Sequence, residues 1–300
     1  MKPETAAYAA RRILGEMPER MTLIPHEEGG GFYSAWKVDC FGGTFFLKQS
    51  CPTELSIYER TARDSAGFPA YLGSAYFRGK PYLLLEYIEG HDMMRCTRGD
   101  LILVLDALIG IQRAYWQSSE TVGDSFEKTF ASCRNRRAFL QDARLLPAYD
   151  AFLAAYEQTP HTLCHNDLLP FNVRVDGRRA VLIDWEHGGI LPYPLPLARL
   201  LAHTMEDPDA LFFMTVEDRR FAILYYYDVL IKEAGISLDD YLHTLALFFL
   251  YEKTEWIYVY NRFKKRRDAR FAAYQQSAHA LAARLCAEQT SDALLSAMLA

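Results

Sequence analysis

The stretch CHNDLLPFN, residues 164–172, and the stretch DWE, residues 184–186, decide what the rest of the chain is expected to form. Between them lie two apolar runs, NVRV and AVLID, on either side of Asp176-Gly177. An Asp-Gly pair between apolar runs is typical of a tight β-hairpin turn. The sequence therefore predicts a polar loop, a hairpin and a second acidic residue in close succession.

Three side chains of this stretch suit the handling of phosphate groups. Asp167 offers a carboxylate, and Asn172 and Asp184 offer further oxygen atoms. Phosphoryl transfer to an alcohol needs a carboxylate beside the acceptor hydroxyl and oxygen ligands for a metal ion. The alternative is an ordinary connection that carries these polar residues by chance. The order and spacing of the residues favour the first interpretation.

The residues before this stretch predict a small sheet. Residues 21–50 contain three short apolar runs separated by glycine-bearing segments, as expected for three antiparallel strands. Residues 52–65 begin with proline and an acidic turn and carry apolar residues at helical spacing, so they predict a helix. Two more strands are expected in AYLGSAYF and PYLLLEYI, and the unbroken apolar run of the second indicates a buried strand.

Beyond Gly90 the patterns are helical, and the only strand-like interruption is expected between Thr162 and Trp185. The predicted fold class is α+β, with a small antiparallel sheet lobe and a larger, mainly helical lobe. We place the first lobe at residues 1–86 and the second at residues 87–300.

The composition narrows the classes of function. Half of the 300 residues are hydrophobic and the formal net charge is -5, which argues against a general binder of nucleic acids or acidic membranes. The first twenty residues carry charges throughout and lack the continuous apolar core of a secretory signal, so none is expected, and no apolar run is long enough to span a membrane. Its six cysteines are scattered and are expected to be reduced thiols, so we expect a cytoplasmic protein that acts on a small molecule.

With His165-Asn166-Asp167, Asn172 and Asp184-Trp185-Glu186 in this order, the chain resembles the kinase-like phosphotransferases, which include aminoglycoside, choline and homoserine kinases. The resemblance implies a two-lobed fold like that of protein kinases, ATP and Mg²⁺ as cofactors, and a small-molecule alcohol as acceptor. It implies that Asp167 takes or orients the hydroxyl proton, that Asn172 and Asp184 bind Mg²⁺, and that His165 supports the loop.

The resemblance also assigns Lys48, at the end of a predicted strand, to the phosphates of the nucleotide. Its acidic partner is expected on the following helix, where both Glu54 and Glu59 lie. We prefer Glu54, because its position resembles the family's Glu-x-x-x-Tyr helix start and Glu59 points to a different side of the helix.

Further nucleotide contacts follow from matched positions. Gly29, Gly30, Gly31 and Ser34 lie between the first two strands, where small residues let backbone amides approach phosphate oxygens. An ordinary hairpin would have the same glycines. The backbone of Glu86 and Ile88 corresponds to the segment that contacts adenine in this family.

Two features bear on the acceptor. Pro196 stands where many family members have an acidic residue. Between Leu201 and Arg262 there are eleven acidic residues and five Lys or Arg, so we expect a cationic acceptor, with Glu252, Trp256 and Tyr260 on one helix face as candidates to bind it. The alternative stays open, because aromatic residues at helical spacing more often belong to the core and acidic residues on helices are more often solvated.

The sequence disfavours two other functions. A catalytically idle kinase-fold protein, such as a spore-coat component, is disfavoured because Lys48, Asp167, Asn172 and Asp184 are all present. A protein kinase is disfavoured because no long activation segment follows Asp184. The sequence does not distinguish ATP from GTP, and the oligomeric state is unknown.

Overall fold

A computed structural model describes residues 3–25, 31–61, 66–287 and 290–300. Its first part is a five-stranded antiparallel sheet with the strand order β1-β2-β3-β5-β4. The strands are β1 (Arg20–Pro25), β2 (Phe32–Cys40), β3 (Gly43–Gln49), β4 (Tyr71–Phe77) and β5 (Lys80–Glu86). We call this sheet and the two helices packed on it the sheet lobe.

The apolar run of β5 is buried because the strand has neighbours on both edges and a helix on each face. Leu84 packs with the helix α1 (Pro3–Leu14) in one core cluster. Leu83 and Leu85 belong to a second cluster with the helix α2 (Pro52–Thr61). Side chains alternate between the two faces of a strand, so an apolar run without alternation indicates burial on both sides.

The remaining helices form the helical lobe. They are α3 (Arg98–Ala114), α4 (Phe126–Arg137), α5 (Leu146–Gln158), α6 (Leu195–Ala202), α7 (Val216–Tyr226), α8 (Leu238–Arg262), α9 (Ala269–Cys286) and α10 (Ser291–Leu299). The buried face of α8 supplies Leu245, Phe248 and Phe249 to the largest core cluster. None of the helices in the described ranges is long and apolar enough to cross a membrane.

Two small two-stranded sheets carry the polar stretch. The predicted hairpin is present as β7 (Val173–Val175) and β8 (Ala180–Leu182), and its turn places Gly177 at a φ of 84°. Glycine adopts this left-handed conformation without steric cost.

A second pair, β6 (His161–Cys164) with β9 (Gly189–Pro192), extends beyond the predicted range, which ended at Trp185. The prediction missed β9 because GILP is only four residues long and is bounded by glycine and proline.

Pro196 lies in the first turn of α6, where its missing N–H costs no helical hydrogen bond. The helix therefore forms without the usual acidic residue. Together the two lobes confirm the predicted α+β class, with a small antiparallel sheet lobe and a larger, mainly helical lobe.

Candidate active site

His165 supports the backbone of the polar loop that carries Asp167. Its Nε2 donates to the carbonyl of Ile183 over 2.7 Å, and its Nδ1 accepts from the backbone N–H of Asp167 over 3.3 Å. This pattern requires the neutral imidazole with the proton on Nε2. Burial lowers the pKa of His165, which favours that neutral form. The ring thus joins the loop to the end of the β7–β8 hairpin.

Asn172 holds the other end of the same loop. Its Nδ2 donates to the carbonyl of Asp167 over 2.8 Å, and its own carbonyl accepts from the N–H of Ile183 over 2.9 Å. Within the described ranges, no hydrogen bond reaches its side-chain oxygen, Oδ1. Asn172 therefore braces the loop with its nitrogen and keeps an oxygen available for a ligand.

Asp184 follows the hairpin in a left-handed conformation, with a φ of 66°. Few residues other than glycine adopt this backbone, although Asp does so more readily than most. Its carboxylate accepts from Lys48 Nζ over 2.6 Å. Burial opposes the charged form, but the charge and the hydrogen bond of Lys48, together with the nearby His165 and His187, outweigh burial and hold the pKa of Asp184 below its usual value.

Lys48 reaches Asp184 across the two lobes and also contacts Glu54, with an Nζ–Oε1 distance of 2.9 Å. Burial lowers the pKa of Lys48, but the two carboxylates outweigh it and raise the pKa above its usual value. Lys48 is therefore a firmly charged cation.

The structure pairs Lys48 with Glu54, the preferred candidate. Glu54 is fully buried, and its Oε1 also accepts from the backbone N–H of Trp185 over 3.2 Å. Glu59 lies on the other side of α2, within 3.5 Å of the Tyr71 hydroxyl and 3.4 Å of the Ser74 hydroxyl. Glu54 thus links Lys48 to the loop of Asp184, and Glu59 takes no part in this network.

A cavity of about 460 Å³ opens beside this network, between the sheet and the β7–β8 hairpin. Six of the residues predicted from the sequence line it: Ser34, Lys48, Glu86, Ile88, Asn172 and Asp184. Gly31 is not among the lining residues, and Gly29 and Gly30 lie outside the described residues.

The backbone groups predicted to face adenine differ in their hydrogen bonds. The amide of Glu86 donates to the carbonyl of Ala70 over 2.9 Å, so this N–H is not available to a ligand. Within the described ranges, no partner accepts from the amide of Ile88. Ile88 therefore keeps a donor that can face the cavity.

A second cavity of about 360 Å³ lies in the helical lobe. Leu169 of the polar loop lines it, together with Arg199, Glu255 and Trp256. Neither cavity includes Asp167 in its lining, but Leu169 borders one and Asn172 the other. The loop of Asp167 therefore runs between the two cavities.

The structure does not bring the predicted trio on α8 together at the second cavity. The side chain of Glu252 is only 4% exposed and pairs with Arg199 and His203, and the hydroxyl of Tyr260 donates to Asp268 over 2.6 Å. Of the three, only Trp256 lines the second cavity. Spacing by four residues places side chains on one helix face, but different elements cover that face along the length of α8.

Sequence reasoning missed two residues. The buried hydroxyl of Tyr58 has no hydrogen-bond partner among the described residues, and the ring lines the first cavity. Its position in Glu54-x-x-x-Tyr58 was a usable signal. Arg199 contacts Asp167 through two nitrogens, at 3.1 and 2.8 Å. Nothing in the local sequence points to that contact, because it joins residues of two separate elements.

The structure also allows a test of whether Mg²⁺ fits. Asp184 and Asn172 both line the first cavity and carry oxygen atoms, the ligands that a hard cation prefers. Asn172 Oδ1 has no partner among the described residues, and Lys48 occupies one oxygen of Asp184, leaving the other. The donor set therefore fits a magnesium ion.

Comparison with known proteins gives matches in sequence and in fold. Residues 46–228 match the family model of the phosphotransferase enzyme family. Protein LicA of Haemophilus influenzae is 26% identical over 98 residues, which are 31% of this chain and 29% of LicA. The chain thus spans less than a third of the length of this curated relative.

Solved structures resemble the whole chain. An aminoglycoside phosphotransferase from Alicyclobacillus acidocaldarius has a TM-score of 0.61 at 14% identity, over 96% of both chains. An amicoumacin kinase in complex with AMP-PNP, Ca²⁺ and Ami has a TM-score of 0.57 at 14% identity, over 97% of both chains. At these identities the likeness concerns the fold.

The matched stretch begins in β3, includes Lys48, the loop of Asp167 and Asp184, and covers more than half of the chain. The chain belongs to the phosphotransferase enzyme family, as its motifs predicted.

Proposed function

We propose that the protein is an ATP- and Mg²⁺-dependent phosphotransferase that transfers the γ-phosphate to a hydroxyl of a small molecule. The observation that carries the proposal is the loop of Asp167 between two cavities, with Lys48, Asn172 and Asp184 lining the one and Leu169 and Arg199 lining the other. A nucleotide in the first cavity and an acceptor in the second would meet at this loop.

In this proposal the first cavity binds ATP between the lobes 1–86 and 87–300. The backbone of Glu86 and Ile88 faces adenine, and Lys48 holds the phosphates together with Gly29, Gly30, Gly31 and Ser34. A lysine fixed between two carboxylates supports this role, because its charge and its direction are both set before a ligand arrives.

Asn172 and Asp184 would hold magnesium, which when bound neutralises negative charge on the phosphates. The protein's own residues position the reactants and accept the proton in the transfer step. The hydroxyl oxygen of the acceptor bonds to the γ-phosphorus as the bond from that phosphorus to the β–γ bridging oxygen breaks, and ADP leaves. Asp167 orients the hydroxyl and receives its proton.

A cationic acceptor, such as an amino alcohol or an aminated sugar, remains part of the proposal. Asp167, Glu252 and Glu255 surround the single guanidinium of Arg199, so the cluster has a formal excess of negative charge. Glu255 lines the second cavity. We therefore assign to Glu255 the binding of the cationic acceptor that the sequence predicted for Glu252. Against this, Arg270 already lies over the ring of Trp256, 5.1 Å from its centre.

The proposal includes a cytoplasmic location, where ATP is available and thiols stay reduced. It includes no nucleic-acid or membrane partner, in keeping with the net charge of -5.

The test compares the parent protein with Asp167→Asn in Mg²⁺-dependent ATP hydrolysis, with water as acceptor, and then in a panel of amino alcohols, sugars, aminoglycosides and nucleosides. We expect the variant to bind AMP-PNP like the parent and to lose about 100-fold in kcat, as for loss of a positioned base. Equal turnover would refute the role of Asp167. A parent protein that neither binds nor hydrolyses ATP would indicate an idle kinase-fold protein.

A further inference from the structure

Arg199 contacts the side chain of Asp167. It lies on α6, and its Nε and Nη2 both donate to Oδ1 of Asp167, at 3.1 and 2.8 Å. Among the described residues, no donor reaches the second oxygen, Oδ2. One carboxylate oxygen is therefore held by two N–H groups and the other stays available.

The guanidinium is itself fixed from the opposite side. Its Nη1 donates to Glu252 Oε2 over 2.9 Å and contacts Glu255, both on α8. The side chain of Arg199 is only 15% exposed, and the surrounding carboxylates raise its pKa above the usual value for arginine. Packing between α6 and α8 thus gives Arg199 one orientation, and the carboxylates around it keep it charged although burial opposes the charge.

A metal ion is a poorer interpretation of the same cluster. His203, Glu252 and Glu255 have ligand atoms close enough to share an ion. Arg199 already contacts both carboxylates, however, and a cation would have to displace a guanidinium from a buried position.

We propose that Arg199 is a positioning residue for phosphoryl transfer, which holds Oδ1 of Asp167 and so presents Oδ2 to the acceptor hydroxyl. The inference rests on the proposed role of Asp167 as the base. A planar guanidinium can give two N–H groups to one oxygen and a third to a neighbouring carboxylate, which the ammonium of lysine cannot do in the same geometry. A carboxylate free to rotate would spend less time in the productive orientation.

The experiment uses the full chain, Mg²⁺-dependent ATP hydrolysis and calorimetric binding of AMP-PNP with Mg²⁺. The variants are Arg199→Ala, Arg199→Lys and Asp167→Asn. Arg137→Ala is the matched control, because Arg137 forms an exposed ion pair with Asp150 remote in sequence from the loop.

We expect Arg199→Ala to lower kcat by up to about 100-fold, the effect of a misplaced reacting group, with KM for ATP and AMP-PNP affinity within about twofold of the parent. Methylguanidinium chloride should restore part of the rate in Arg199→Ala and none in Asp167→Asn. Arg199→Lys should stay well below the parent, and Arg137→Ala should match it.

Hydrolysis by Arg199→Ala within about twofold of the parent would overturn the inference. Parallel loss of rate, AMP-PNP affinity and melting temperature, without rescue by methylguanidinium, would also overturn it, since it would indicate a structural role. If Arg199→Ala does not fold because Glu252 is left unpaired, the same measurements on Arg199→Ala with Glu252→Gln decide the matter.

The two proposals fail in different ways. A parent protein without ATP hydrolysis and without Mg²⁺-dependent AMP-PNP binding would refute the proposed function, and the role of Arg199 with it. An active parent and an impaired Asp167→Asn, combined with an unimpaired Arg199→Ala, would refute the role of Arg199 alone.

Discussion

Glu54 and Glu59 both lie on α2, and of the two only Glu54 contacts Lys48. A substitution of Glu59 is therefore a matched control for the same substitution of Glu54. We expect Glu54→Gln to lower kcat for ATP hydrolysis by about tenfold, since loss of its charge releases one side of Lys48 and weakens the link to Trp185. Glu59→Gln should keep the rate of the parent. Steady-state kinetics of both variants test this, and a defect in Glu59→Gln alone would reverse the assignment.

Lys253 on α8 is a buried cation without an ion pair among the described residues. It is 9% exposed, and burial together with the neighbouring charge of Arg219 lowers its pKa to about 8. The charged form thus costs stability at pH 7. We expect Lys253→Met to raise the free energy of unfolding there by up to about 3 kcal/mol, measured by urea denaturation.

The sign of the pH dependence follows from the lowered pKa. Between pH about 8 and about 10.5 the unfolded chain keeps the proton that folded Lys253 has lost, so the parent gains stability as the pH rises. The advantage of Lys253→Met should shrink over this range. Lys232 is an exposed lysine and is the control. Lys232→Met should change the free energy of unfolding by less than about 0.5 kcal/mol, both at pH 7 and over this range.

At the scale of elements, the connection from β5 to α3 crosses the β7–β8 hairpin at close range. A Cβ on Gly90 would lie 2.1 Å from the carbonyl oxygen of Val175. The same oxygen accepts from the N–H of His91 over 3.0 Å, and the N–H of Val175 donates to the His91 carbonyl over 2.8 Å. Glycine at this position thus lets the connection pair with the hairpin that carries Asn172 and Asp184.

We expect Gly90→Ala to lower the free energy of unfolding by about 1–3 kcal/mol, because backbone atoms must shift to admit the methyl group. Gly110→Ala is the control. Gly110 lies inside α3 with no atom within 4 Å of the added Cβ, so alanine there should stabilise by up to about 1 kcal/mol. Equal effects of the two substitutions in urea denaturation would contradict the close contact at Gly90.

For the whole molecule, the first cavity joins residues of both lobes, so a bound nucleotide should stabilise them together. Ligand at 100 times its Kd adds about 2.7 kcal/mol, which corresponds to a rise in Tm of about 5 °C for a chain of this size. We expect this rise with ATP and Mg²⁺ and a smaller one with ATP alone, measured by differential scanning fluorimetry.

Asp184→Asn should remove the additional rise that Mg²⁺ produces, because a hard cation prefers a charged oxygen ligand. Asp228→Asn, which changes an exposed aspartate on the short helical segment after α7, should retain it. An undiminished magnesium effect in Asp184→Asn would show that Asp184 does not hold the ion.

The sequence by itself determined the fold class and the family, because both depend on local patterns. The strands, the Asp176-Gly177 turn and the long helices follow from periodicity and turn chemistry over a few residues. The family follows from the resemblance of the motifs within residues 164–186 to those of the kinase-like phosphotransferases. The sequence did not predict the four-residue strand β9, because so short a segment has too little hydrophobic pattern to indicate a strand.

Only the tertiary structure decided which charges meet. Lys48 and Asp184 are 136 positions apart, and Asp167 and Arg199 are brought together by the packing of α6 beside the polar loop. Glu252 looked like a free carboxylate in the sequence and proved to be buried against Arg199. The charge and exposure of a side chain depend on its neighbours in space, and these are set by packing rather than by spacing along the chain.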